Sequence, residues 1–229
     1  MTTPNAQQPV GWSPATAART LMRTAGQHAA FLLPYLEPGM RLLDCGCGPG
    51  TITLGLAEAV APGEVIGIDV GGAQIELAKA NAAQKGTQNV RFQVADVTKL
   101  PFEDDSFDAV YANALLMWVN EPLGALWEIR RVLRPGGLIG VRDPDGGSAV
   151  FDPGGAGLYQ LWEEGKHLVW GGRDPRTGRR NRGLLRRAGF VHSEGFADCE
   201  YVGAPEAVRA FAETQSKWPN DWAKARAQA

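Results

Sequence analysis

Three aspartates close three short apolar runs, and alternating glycines follow the first of them. LLDCGCGPG, residues 42–50, sets Asp44 ahead of Gly46, Gly48 and Gly50; Asp69 ends VIGID and Asp96 ends RFQVAD. A strand that breaks into a glycine loop and then a helix brings backbone N–H groups and a helix N-terminus to one point. That arrangement suits an anionic or carboxylate-bearing ligand. Asp44 can sit near the ammonium of an amino-acid moiety. A carboxylate at the end of the next strand, Asp69, can accept hydrogen bonds from two adjacent ribose hydroxyls. A plain helix N-cap is an equally good reading of Asp69 taken alone. Asp96 can accept from an adenine amino group, with Val97 on the ring face. Three acids ending three consecutive strands are hard to explain by capping. A nicotinamide-binding loop is the rival, but it wants G-x-G-x-x-G, and Thr51 occupies the third glycine position.

The elements that must position these groups alternate regularly. Strand-like runs cover 41–44, 64–69, 90–95, 107–112 and 138–142; helical runs cover 51–61, 72–85 and 121–133. Residues 96–106 read as a loop turning at Pro101. Near-continuous apolar strands between helices predict an α/β fold, a doubly wound and mostly parallel sheet covered on both faces. Ligands then bind at the carboxyl ends of the strands where strand order reverses, next to the first strand.

Flanking this core are two additions. Ser13 and Pro14 make an N-cap and first turn, and Leu21, Met22, Ala25, Ala29 and Leu32 continue at helical spacing to Pro34. Beyond the fifth strand, a Pro/Gly-rich loop at 143–157 leads to a helix at 158–170. A second loop, a short helix stopped by Gly189, a sixth strand at 190–201 and a helix at 205–218 follow. The chain thus divides into an N-terminal arm and helix over the site (1–36), a cofactor-binding core (37–145) and acceptor-pocket helices with the sixth strand (146–229).

Bulk properties exclude several classes. At 229 residues with 44% hydrophobic and 21% charged content, one α/β domain with an elaboration is expected. A net charge of −2 gives no global attraction to nucleic acid. Cys45, Cys47 and Cys199 form neither a zinc pattern nor a disulfide framework and read as buried reduced thiols. No signal peptide or run of 18 apolar residues is present, so a cytoplasmic protein is expected. Arginines 173, 176, 179, 180, 182, 186 and 187 cluster without interleaved aromatics, which favours a solvated helix face around Leu184 and Leu185 over an RNA-binding surface, with a carboxylate-bearing acceptor touching one or two of them as the intermediate reading.

LLDCGCGPG, GIDV, ADVTKLPFEDDSFDAVYANALLMWV and EIRRVLRPGGLIGVRD follow one another over about residues 40–145. This series resembles the class I S-adenosylmethionine-dependent methyltransferases, in particular the small-molecule branch of ubiquinone and menaquinone biosynthesis. The resemblance implies a Rossmann-like methyltransferase fold with S-adenosyl-L-methionine as cofactor and S-adenosyl-L-homocysteine as product. It implies that Asp44, Gly46, Cys47, Gly48 and Gly50 hold the methionine end. Asp69 would bind the ribose with Val70 beside the adenine, and Asp96 and Val97 would cap the adenine. Asn113 would lie near the transferred methyl group, and Pro135-Gly136-Gly137 would turn the chain into the fifth strand. Two departures stand out. Trp118 occupies a segment where relatives often place a histidine; it either stacks on the substrate or fills core. No sequence after residue 202 reads as the family's seventh strand, so that strand is missing, the sheet ends differently, or the chain is cut short.

Methyl transfer from a sulfonium is an in-line displacement that mainly needs alignment and a dry pocket. A general base is needed only for an acceptor that still carries its proton. His167, between Trp162 and Trp170, is the first candidate, with Asp143 second; His28 reads as a structural histidine or part of the acceptor pocket, and His192 as solvent-facing. The expected acceptor pocket draws on His28, Trp118, Trp162 and Trp170, for a small apolar or aromatic acceptor such as a phenol or quinol. No metal site, membrane span or nucleic-acid partner is expected, and the protein is a monomer or homodimer. A non-catalytic cofactor-binding or partner-binding protein with the same fold is the alternative.

Overall fold

The computed structural model describes residues 20–148 and 176–199. In chain order its elements are α1 (Ala25–His28), β1 (Leu42–Cys45), α2 (Thr51–Val60), β2 (Val65–Asp69), α3 (Gly72–Lys85), β3 (Val90–Val94), β4 (Phe107–Asn113), α4 (Pro122–Val132), β5 (Leu133–Arg142) and α5 (Thr177–Arg187). The five strands form one parallel sheet in the order β3-β2-β1-β4-β5. The chain order reverses around β1, whose neighbours are β2 and β4, and the crevice at its carboxyl end is where ligands bind in such sheets.

Burial explains the sequence of the central strands. Every residue of β1 is buried, as are the first four of β2, because helices cover both faces. Successive side chains alternate between those faces. Leu43, Ile66, Ile68 and Val110 pack with Leu126 and Ile129 of α4 on one side. Leu42, Val65, Ala109 and Tyr111 pack with Leu56 and Val60 of α2 and with Ala25 and Leu32 on the other.

Strand five begins earlier than its apolar run indicated. Leu133 pairs with Phe107, and the next pair is Leu138 with Ala109, so the turn at Pro135-Gly136-Gly137 bulges out of a ladder that has already started. Gly136 takes φ +79° there, a conformation that side chains avoid.

Two expectations are corrected. The periodic N-terminal segment is not one continuous helix: Thr20 and Leu21 are helical, Thr24 is extended, and α1 spans only four residues before a 3₁₀ turn at Leu33–Tyr35. Small residues win over helix continuity here. Ala25 sits so close to α2 that a Cβ on Gly55 would lie 2.7 Å from its methyl group. The sixth strand is also absent over 190–199, which carry no strand pairing. Val191 and Phe196 are exposed, and the segment is held by side-chain contacts described below. The short helix before it is as expected: α5 ends ahead of Gly189 at φ +93°, with Leu184 and Leu185 on the core and its arginines exposed. The helices read at 158–170 and 205–218 lie outside the described residues.

Candidate functional site

The glycine loop is built on alternate left-handed residues: Gly46, Gly48 and Gly50 have φ of +71°, +51° and +76°. Space is as tight as the backbone. A Cβ on Gly50 would come within 2.9 Å of the Phe92 ring, and one on Gly46 within 3.0 Å of the Leu115 side chain. The N–H groups of Gly46, Cys47, Gly48 and Gly50 are engaged by the protein's own acceptors, so of the expected cradle it is the helix N-terminus, at Thr51 and Ile52, that lines the cavity. Gly46 and Cys47 donate to the Ile68 carbonyl at 2.8 and 2.9 Å, Gly48 donates to Asp69 Oδ2 at 3.1 Å, and Gly50 donates to the Cys47 carbonyl at 3.0 Å. The loop folds over the carboxyl end of β2, whose buried acceptors need donors. The glycines serve close approach.

Two carboxylates stand beside the loop, of which Asp44 lines the cavity and Asp69 does not. Asp44 is 2% exposed at the end of β1, and its Oδ2 accepts from the Thr53 hydroxyl at 2.6 Å. Burial pushes its pKa up to about 7; the Thr53 hydrogen bond opposes this and the Asp69 charge adds to it. Asp69 accepts from the Gly71 amide on Oδ1 at 2.8 Å and from Gly48 on Oδ2. Burial raises its pKa, with the two amides opposing. Asp44, Gly46, Cys47, Gly48 and Asn113 line one cavity together with Thr20, Arg23 and Thr51. Thr51 Oγ1 donates to the Thr20 carbonyl at 3.3 Å, tying the N-terminal segment to the loop.

The other expected residues fall as follows. Asn113 is 7% exposed at the end of β4, beside Arg142 on β5. Asp96 is exposed and its Oδ1 accepts from the Thr98 amide and hydroxyl, both at 2.8 Å. Val97 is buried in the main core, whereas Val70 is exposed. None of these last three lines the cavity holding Asp44. The Cys47 thiol is buried, which pushes its pKa up.

Asp143 accepts from the Met117 amide at 3.3 Å on Oδ1 and from the Asn181 amide at 3.1 Å on Oδ2. Burial pushes its pKa up to about 6, against the opposing Met117, Asn181, Leu115 and Leu116 hydrogen bonds. Its carboxylate thus caps the 3₁₀ turn Leu116–Trp118 that carries half-buried Trp118. Asp145 pairs with Arg179 at 2.6 Å. His28 Nδ1 lies 3.2 Å from the Thr24 carbonyl, and the His28 carbonyl accepts from the Tyr111 hydroxyl at 2.6 Å. His28 does not line the cavity with Asp44. His167, Trp162 and Trp170 lie outside the described residues. Among the described residues, no cluster of three or more His, Cys, Asp or Glu could hold a metal ion, and no helix is long and apolar enough to cross a membrane.

Sequence reasoning missed four contributors. Thr53 carried a signal, being the third residue of the helix after the loop, on the side that faces back to β1. Arg23 and Thr20 carried none, because only tertiary contacts bring them to the cavity, whereas Arg142 ends the run read as the fifth strand and so stands at the strand-end edge where ligands bind.

Residues 36–173 match the methyltransferase domain family. An uncharacterized methyltransferase of Schizosaccharomyces pombe is 30% identical over 203 residues, covering 86% of this chain and 70% of that protein. The demethylmenaquinone methyltransferase of Staphylococcus aureus is 43% identical over 105 residues, 45% of this chain and 43% of the enzyme. In structure, the cyclase SpnF is similar at a TM-score of 0.56 and 30% identity, covering 74% of this chain and 60% of that one. The chain belongs to the class I S-adenosylmethionine-dependent methyltransferase family. It spans less than half of the staphylococcal relative's length.

Proposed function

We propose that the chain binds S-adenosylmethionine in the crevice beyond β1 and transfers its methyl group to a small apolar or aromatic acceptor. The observation that carries this reading is a buried carboxylate, Asp44, and a guanidinium, Arg23, on one cavity with the glycine loop. An amino-acid moiety bears an ammonium and a carboxylate, and those two side chains complement it. The fit extends along the strand ends. Each oxygen of Asp69 accepts one amide and keeps capacity for a further donor, which matches two adjacent ribose hydroxyls. Val70 follows Asp69 at the end of β2 and Asp96 follows β3, the neighbouring strand, and both are exposed, so an adenine extending past the ribose can reach them.

The bound cofactor supplies an already activated methyl group. This chain's residues align and desolvate: Asp44 and Arg23 hold the amino-acid end, Asp69 the ribose, and Asn113 and Leu115 stand against the loop where the acceptor would approach. Asp143 acts here as a positioning residue, because its carboxylate holds the turn after β4. For an acceptor that keeps its proton at neutral pH, His167 is the residue type suited to remove it.

The similarity to a cyclase keeps a second reading open, a cofactor-binding protein that transfers no methyl group. Calorimetry with S-adenosylhomocysteine and NADH, followed by mass spectrometry of a phenol and quinol panel, decides between them. Binding of S-adenosylhomocysteine together with a methylated product supports transfer. Binding without any product supports the second reading, and preference for NADH overturns both.

A further inference from the structure

The acceptor side of the crevice carries a feature that the family assignment does not explain. Asn113 and Arg142 are register partners at the carboxyl ends of β4 and β5, so their side chains share one face of the sheet. Asn113 Oδ1 lies 3.5 Å from Arg142 Nη1, and Asn113 also lines the cavity holding Asp44. A guanidinium therefore sits one residue away from the place where the methyl donor's amino-acid end is read. Tyr111 and Gly140 precede this pair on the same face, covered by Phe31. The face is thus an aromatic shelf ending in a cation.

Both features are already met by one irregular stretch of the chain. Phe196 stacks on Phe31 with centroids 6.4 Å apart and planes at 30°, and Asp198 places its carboxylate oxygens 3.1 and 3.4 Å from Arg142 Nη2. An aromatic ring and a carboxylate are presented together, as a single small ligand would present them. The hold is weak: Phe196 is 68% exposed, the Asp198 side chain is 67% exposed, and residues 190–199 join no strand. Exposed ion pairs of this kind contribute little, so a better-placed carboxylate can replace Asp198.

We propose that Arg142 is the recognition group for an acceptor that carries a carboxylate on an aromatic ring, and that Phe196 and Asp198 occupy its place until it binds. A bidentate arginine–carboxylate pair beside the Asn113 amide gives orientation as well as affinity. Aromatic contact with Phe31 fixes the ring, and the carboxylate at Arg142 turns the far end of the ring toward the donor. The proposal rests on the methyltransferase reading for what then happens to the acceptor, but the binding step can be measured without turnover.

The test uses the full chain loaded with S-adenosylhomocysteine and two isosteric probes, 4-hydroxybenzoate and 4-hydroxybenzamide, followed by NMR titration. The acid is expected to bind about tenfold more tightly than the amide. Arg142→Gln should erase that difference, whereas Asp198→Asn should tighten the acid several-fold and leave the amide alone. Equal binding of the two probes, absence of binding by both at millimolar concentration, or an unchanged preference in Arg142→Gln overturns the proposal. Calorimetric affinity for S-adenosylhomocysteine is recorded for every variant. Its loss in the wild-type protein would sink the methyltransferase reading, while its retention in Arg142→Gln shows that the variant is folded.

Discussion

Thr53 and Asp44 stand on either side of the glycine loop, nine residues apart, and the Thr53 hydroxyl donates to Asp44 Oδ2 at 2.6 Å. Thr53 is fully buried and Asp44 nearly so. The bond joins the end of β1 to the first turn of α2 and holds the carboxylate in a fixed orientation above the loop. It also opposes the desolvation that would otherwise neutralise Asp44 further.

Removing that donor tests the pair. Thr53→Val keeps the volume but leaves Asp44 without its side-chain donor, at a cost of about 1–3 kcal/mol in stability. Affinity for S-adenosylhomocysteine should fall in parallel, because Asp44 is then more often protonated at pH 7. Urea unfolding and calorimetry check both; an unchanged affinity argues that Asp44 does not face the cofactor.

Stability of the unliganded protein should fall as pH rises. The pKa of Asp44 is raised from 3.8 to about 7 and that of Asp143 to about 6, so the fold favours their protonated forms. Their contribution is complete below about pH 4 and is lost as the pH passes through 6 and then 7. One such group changes stability by about 1.4 kcal/mol per pH unit across its window. Asp44→Asn should flatten the profile between pH 6 and 7 and reduce its slope between pH 4 and 6, where the Asp143 part remains, as read by denaturant unfolding at each pH. An ammonium-bearing cofactor reverses the preference at Asp44. Binding of S-adenosylhomocysteine should therefore release a proton near pH 6.5, seen as a binding enthalpy that varies with the ionisation heat of the buffer.

Asp69 has two duties, bracing Gly48 and Gly71 and, in the proposed reading, binding the ribose. Asp69→Ala should weaken the cofactor by ~1–3 kcal/mol. The decisive comparison is between S-adenosylhomocysteine and homocysteine itself. If the loss appears equally with homocysteine, Asp69 acts only by bracing the loop.

Tyr111 links the N-terminal segment to the sheet through its hydroxyl bond to the His28 carbonyl. Tyr111→Phe keeps the ring packing against Phe31 and removes only that bond, costing about 0.5–1.5 kcal/mol. Faster amide exchange confined to residues 25–32, with the sheet unchanged, is the expected signature. Uniform loss of protection would show that the bond instead supports the whole core.

The parallel sheet was legible because its central strands are buried on both faces, which forces continuous apolar runs such as LLDC and VIGID. The turn at Gly136 and the end of α5 at Gly189 were legible because positive φ selects glycine. The strand read at 190–201 failed over the residues described, since alternation records only which residues are apolar. Whether a ladder forms depends on a neighbouring strand offering its edge. The continuous N-terminal helix failed for a related reason: Ala25 is placed by its close approach to Gly55 rather than by local periodicity.

Sequence alone determined that Asp44, the three loop glycines and Asp69 stand at adjacent strand ends, because strand–loop–helix order and parallel pairing leave little choice. Only the tertiary structure decided where the polar groups point. It turned the loop amides inward onto Ile68 and Asp69, brought Arg23 to the cavity, and set Arg142 beside Asn113 against Asp198. Hydrogen bonds and ion pairs are short-ranged and directional, so they are settled by which distant segments meet, and residue types in a line do not record that.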